Sequence, residues 1–260
     1  MNRLALGLIV GLVCVPAFAE DLPKPKPAPD RPAVPAMSEA ERKAFRDEVR
    51  AYLLENPEVL IEAMDVLQAR EEAAALLRDV QMVSTHNDVI FNNPNDWVGG
   101  NPKGDITLVE FMDYRCGYCR QAYAEIDQLV KADGNIRFVV KEFPILGEAS
   151  VLSAQFAIAV LQLHGDEAYE KVHDALMRLR GEPTTETLAR LAKDMGLEAK
   201  PILDRMNTPP VMKVIHDNHT LATQMEITGT PAFVLKDMVM RGYAPLDVMK
   251  DFVADARKDG

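Results

Sequence analysis

Apolar and polar positions along the chain fall into distinct regimes. Leu4 to Val15 is an apolar stretch after a single charge at Arg3, closed by Pro16 and Ala17-Phe18-Ala19. Residues 21–36, DLPKPKPAPDRPAVPA, hold six prolines and no large apolar pattern, which predicts an extended tether and a passive spacer. From Ser38 the period becomes helical. Ser38 and Glu41 form a capping box, and Phe45, Val49, Tyr52 and Leu53 make one apolar stripe. ENP at 55–57 interrupts it, with Asn56 suited to capping and Pro57 to the first position of a second helix running to about Val83. Two stripes compete there: Leu60, Met64, Leu67 and Ala74, and Val59, Ala63, Val66, Ala73, Leu77 and Val80. Glu71 and Arg78 break the heptad reading, so a long regular coiled coil is not supported, and packing against the main domain is the alternative.

From residue 87 the pattern changes. DVIF (88–91) reads as a short strand, NNPNDWVGGNPKGD (92–105) as a turn-rich loop, and ITLVEFM (106–112) as a buried strand. A helix is expected from the cysteine motif to about Ala132, and a strand over IRFVVKEF (136–143). Residues 147–226 show only helical periodicity, broken at HGD, GEPTT and NTPP. AFVLKDMVMRG reads as a hairpin around Lys236-Asp237, followed by a helix from Pro245 to about Ala256. The order β, β-α-β, helical block, β-β-α predicts an α/β chain with a mixed sheet interrupted by an insertion.

Composition sharpens this picture. The 260 residues are 48% apolar and 27% charged, enough for one sizeable core with accessories. Residues 1–19 read as a secretory signal cut after Ala19, since the apolar run is shorter than the roughly 20 residues a bilayer span needs. Lipidation through Cys14 is disfavoured by the bulky Val13. Cleavage leaves 28 basic against 40 acidic side chains, a net charge of −12, which argues against nucleic acid or anionic membrane as partners. No later segment is long and apolar enough for stable membrane insertion. Export would place Cys116 and Cys119 where disulfides persist.

Those cysteines stand three apart in FMDYRCGYCRQAY (111–123), where a strand gives way to a helix. Sulfurs at i and i+3 on a first helical turn can bond without moving the backbone, which suits a reversible Cys116–Cys119 disulfide. Cys116 falls at the helix N-terminus, where free N–H groups favour a thiolate, so it attacks; Cys119, one turn in, resolves. Zinc would need four ligands, and His86, His164, His173, His216 and His219 are scattered. A structural staple closing so short a loop stabilises little. A Cu(I) site from two thiolates and one of the 13 methionines is chemically reasonable.

A second feature favours redox chemistry. Gly229-Thr230-Pro231 directly precedes a strand, a setting that invites a cis peptide at Pro231, with an ordinary trans turn as the alternative. FMDYRCGYC together with TGTPAF resembles the DsbA-like thiol–disulfide oxidoreductases of bacterial envelopes over about residues 88–258. YEKVHDALM (169–177) resembles a segment of that family's inserted helical domain. The resemblance implies a thioredoxin fold with no cofactor and no metal, in which the cis Pro231 faces the cysteines and Thr230 offers backbone hydrogen bonds to a substrate strand. It implies that Gly117 and Tyr118 tune the potential, in a dipeptide closer to isomerase-type members than to the strongly oxidising ones. It maps Glu110 onto an acid that tunes proton transfer, with Lys141 as its possible partner; both side chains simply reaching solvent is the alternative.

YLLENPEVLIEAM (52–64) resembles the N-terminal extension of the ScsC-like branch, which can mediate trimerisation. The resulting division is a signal (1–19), a tether (20–37), an oligomerisation segment (38–86), a first thioredoxin part (87–146), an inserted helical domain (147–226) and a second thioredoxin part (227–260). The implied activity is periplasmic disulfide interchange, isomerase or reductase, on misoxidised exported proteins, in a homo-oligomer reset by a DsbD-like membrane reductant. A monomeric dithiol oxidase reset by a DsbB-like oxidant is one alternative, and a copper-sequestering or holdase-type binding protein is another.

Overall fold

The computed structural model describes residues 37–258, so the expected signal and nearly all of the proline-rich tether lie outside the described residues. The chain divides into two compact units, with the boundary between Glu62 and Ala63. In the first unit, α1 (Glu39–Glu55) opens on the expected capping box: Ser38 N–H donates to Glu41 Oε2 at 2.8 Å, and Glu41 N–H to Ser38 Oγ at 3.3 Å. None of its residues is buried. Its apolar stripe, with Phe45, Val49 and Tyr52, faces solvent.

The helix α2 (Glu58–Phe91) is longer than the pattern suggested. DVIF is its last turns, not a strand, and the expected 86/87 boundary falls inside it. The reason is Ile90, which is fully buried on the same face as Val83, seven residues before it. Burying an isoleucine is worth about 1.5–3 kcal/mol, against a strand preference that spans only about 1 kcal/mol. Of the two competing stripes, Leu60, Met64 and Leu67, and Val66, Leu77 and Val80, are exposed. The buried residues of α2 are Asp79, Val83 and Ile90.

The sheet contains β1 (Trp97–Gly100), β2 (Ile106–Met112), β3 (Ile136–Glu142), β4 (Ala232–Leu235) and β5 (Met238–Arg241), in the order β1-β3-β2-β4-β5. Only β2 and β3 run parallel; the other neighbours are antiparallel. β1 lies in the stretch expected to be a loop. Trp97 anchors it, stacked on Tyr169 at 5.3 Å with Nε1–H donating to Asp166 O at 3.1 Å. Between β2 and β3 runs α3 (Gly117–Asp133). The insertion comprises α4 (Glu148–His164), α5 (Asp166–Arg178), α6 (Thr185–Asp194), α7 (Ala199–Met206) and α8 (Pro209–Gln224); α9 (Leu246–Lys258) closes the described chain. The break between α6 and α7 was not among those expected.

Strand alternation divides the core. Leu108, Met112, Phe138, Val140, Phe233 and Leu235 face one cluster with residues of α3, α5 and α9. Val109, Phe111, Val139, Ala232 and Val234 face the other, with Val83, Ile90, Leu221 and Ala222. This is the thioredoxin fold with a helical insertion.

Candidate active site

The site is built where β2 ends and α3 begins. Asp113 fixes the turn between them. Its Oδ1 accepts from Arg115 N–H at 2.7 Å, and its Oδ2 from the N–H groups of Ile145 and Leu146 at 2.8 and 3.1 Å. Its backbone carbonyl accepts from Cys116 N–H at 3.1 Å. Cys116 is therefore the N-cap residue of α3, with extended backbone and no side-chain capping bond. Both cysteines are free thiols. Cys116 is 7% exposed and Cys119 fully buried, so only the first offers an edge to solvent.

The other wall comes from the segment before β4. The Thr230–Pro231 bond is cis, and Cys116 Sγ–H donates to Thr230 O at 3.2 Å. Gly242 N–H donates to Pro231 O at 2.9 Å, tying the loop after β5 to the same place. Gly117 and Tyr118 are exposed at the helix start. The structure thus brings Cys116, Gly117, Tyr118, Cys119, Thr230 and Pro231 into one region.

Beneath them lies Glu110, on the sheet face that carries Leu108 and Met112. Its Oε1 has no hydrogen-bond partner, and burial pushes its carboxyl up to about 8, so it holds a proton at neutral pH. The Cys119 thiol is raised well above the ordinary range, first by burial and then by the charge of Glu110 when ionised. Glu110 also lines a cavity of about 270 Å³ with Trp97, Tyr123, Phe138 and His173.

The expected Glu110–Lys141 pair does not form. Glu110 is opposite Val140 in the parallel register, so Lys141, one residue on, points through the other face of the sheet. There Lys141 Nζ lies 2.5 Å from Asp96 Oδ2 and donates to Val89 O at 2.6 Å. Burial pushes Lys141 down and Asp96 up to about 6. Neither Glu110 nor Lys141 reaches solvent.

Two groups escaped the sequence reading. One is Asp113. The other is a fully buried cluster in which Tyr114 and Tyr169 hydroxyls donate to Glu142 Oε1 at 2.8 and 2.6 Å, with His173 Nδ1 3.0 Å from Tyr114 Oη. Burial raises Glu142 to about 8 and lowers His173 to about 4. A charged residue at the inward end of an apolar strand, and Tyr169 and His173 four apart on a helix, were the available signals. Among the described residues no group of three or more His, Cys, Asp or Glu is arranged to hold a metal ion, and no helix is long and apolar enough to cross a membrane.

Residues 107–254 match the DSBA-like thioredoxin domain, more than half of the chain. The chain belongs to this family. Residues 41–74 match a second family, the copper resistance protein ScsC N-terminal domain. The chain is similar to a crystallised thioredoxin-like oxidoreductase from Silicibacter pomeroyi DSS-3, with 42% identity, a TM-score of 0.62, and 66% of this chain and 97% of that one covered. It is also similar to BcfH of Salmonella enterica Typhimurium, with 25% identity, a TM-score of 0.70, and 84% and 96% covered. Disulfide bond formation protein D of Bacillus subtilis is 25% identical over 182 residues, which cover 64% of this chain and 81% of that protein. Matches to Na(+)/H(+) antiporters, such as NhaA 1 of Salinispora arenicola at 25% identity, span 62% of this chain and only 24% of the antiporter's length.

Proposed function

We propose that the protein is an exported thiol–disulfide interchange protein of the periplasm, acting as an isomerase and reductase on misoxidised exported proteins. The observation that carries this reading is the pairing of a shallow Cys116 sulfur, facing the Thr230 carbonyl beside the cis proline, with a Cys119 sulfur buried behind it.

In the proposed cycle the Cys116 thiolate attacks one sulfur of a substrate disulfide. That S–S bond breaks, a Cys116–substrate bond forms, and the departing sulfur takes up a proton. In isomerisation another substrate thiolate then displaces Cys116, with no net transfer of electrons. In reduction Cys119 passes its proton to Glu110 in the carboxylate form, the minority form at neutral pH, and attacks the Cys116 sulfur. The substrate leaves as a dithiol, having gained two electrons and two protons. The Cys116–Cys119 disulfide is then reset by a membrane dithiol reductant of the DsbD type. Thr230 holds the substrate strand through its backbone, and Gly117 and Tyr118 set the potential.

The exposed apolar side chains of α1 and of the first half of α2, together with the ScsC N-terminal match at 41–74, support a homo-oligomer, a trimer in this reading. A Cys119→Ala variant incubated with a scrambled multi-disulfide substrate should accumulate a covalent complex through Cys116, seen by mass spectrometry and removed by dithiothreitol. Capture through Cys119 in Cys116→Ala, or no capture in either variant, would contradict the assignment. Cysteines found reduced in cells support the isomerase direction; cysteines found oxidised make the protein a dithiol oxidase.

A further inference from the structure

Tyr118 stands between the two cysteines and is 63% exposed, yet its ring is held. It stacks on Tyr243 with centroids 6.1 Å apart and planes 24° apart. The Tyr243 hydroxyl donates to the Glu125 carboxylate, 3.0 and 3.1 Å from its two oxygens. Tyr118 and Glu125 are seven residues apart on α3, two turns along one face, so Tyr243 spans both, ring on ring and hydroxyl on carboxylate. Tyr243 follows Gly242, whose N–H is bonded to Pro231 O. The aromatic pair is thereby registered to the loop that contacts the Cys116 sulfur.

Tyr118 is two residues beyond Cys116 and Tyr243 one beyond the Gly242 that is bonded to Pro231, so the rings flank the place where a mixed disulfide at Cys116 would form. Two preorganised rings offer a flat apolar face with little ordering left to do. The Glu125 charge beside them disfavours an acidic side chain. Resting on the exchange reading above, we propose that Tyr118 and Tyr243 form a shelf for the side chain next to the reacting substrate cysteine. It favours cysteines flanked by an aromatic residue over those flanked by glycine, and both over those flanked by aspartate. Glu125 is a positioning residue for Tyr243 and the source of the discrimination against acid.

The test uses the full-length reduced protein and short peptide disulfides carrying phenylalanine, glycine or aspartate beside the cysteine. Each rate is divided by the rate of the same peptide with reduced glutathione, which removes differences in leaving-group chemistry. The wild type should prefer the phenylalanine peptide by about three- to tenfold. Tyr243→Ala and, at an exposed position that folding does not need, Tyr118→Ala should bring that ratio close to one. Tyr243→Phe should keep it, and Glu125→Gln should relieve the discrimination against aspartate. Exchange with every peptide but no preference in the wild type, or an unchanged preference in both alanine variants, would overturn the shelf and leave the exchange reading intact. A protein inert towards every peptide would overturn both.

Discussion

Glu110 is held neutral by burial, and this has consequences for stability and for exchange. Its carboxyl titrates near the ordinary 4.5 when unfolded and near 8 when folded. Below pH 4.5 both states are protonated and its contribution to stability is fully present. As pH rises towards 8 the unfolded chain releases the proton first, so stability falls, and above 8 the loss is complete. Glu142, also raised to about 8, acts in the same direction. Glu110→Gln should therefore raise stability at pH 7 by on the order of 1–3 kcal/mol and flatten the dependence between pH 5 and 8, read as urea midpoints. Only the ionised minority of Glu110 at neutral pH, a fraction that grows towards pH 8, can take the Cys119 proton; glutamine never can, so resolution of a mixed disulfide should slow about tenfold or more near pH 8 and less at lower pH. Lys141 makes a contrasting prediction. Lys141→Met leaves Asp96 buried without its cation and should cost about 3–5 kcal/mol, with most of that recovered when Asp96→Leu is added. The shape of the exchange-against-pH profile should not change, because Lys141 lies on the other face of the sheet from Glu110.

At the scale of elements, much was legible because period and punctuation agreed. ITLVEFM is the observed β2, the box at Ser38 and Glu41 opens α1, and the hairpin turns at Lys236-Asp237 as its sequence suggested. Three features were not legible, for physical reasons. DVIF has strand composition, but Ile90 continues the buried face begun by Val83. β1 is a four-residue edge strand with two glycines, and long-range contacts of Trp97 with Tyr169 and Asp166 order it. The partner of Lys141 was misjudged because its place on the next strand was read without the register: Glu110 stands opposite Val140, and alternation sends Lys141 to the other face. The site motif itself, cysteines and cis proline, was readable; Asp113 and the Tyr114–Glu142–Tyr169–His173 cluster were not, since each depends on partners distant in sequence. Ile90→Ala should cost about 2–5 kcal/mol in urea unfolding followed by circular dichroism. A solvent-exposed strand residue would cost far less.

For the whole molecule, the second half of α2 belongs with the thioredoxin fold. Val83 and Ile90 sit in its core, and Arg241 holds the Asp79 carboxylate with two bonds of 3.0 and 2.8 Å. A truncation at residue 85 would remove part of that support, whereas removal of residues 20–74 spares it. The shorter deletion should give a folded monomer that keeps dithiol chemistry; on the proposed oligomer reading it loses the substrate retention that several linked sites would provide. The most direct measurement is reactivation of a scrambled multi-disulfide substrate by the full-length protein and by this truncated form, at equal concentrations of active sites, with sedimentation run on both. The account predicts an oligomeric full-length protein that reactivates the substrate and a monomeric truncated form that reduces disulfides yet has lost most of the reactivation. A monomeric full-length protein, or equal reactivation by the two forms, would contradict it.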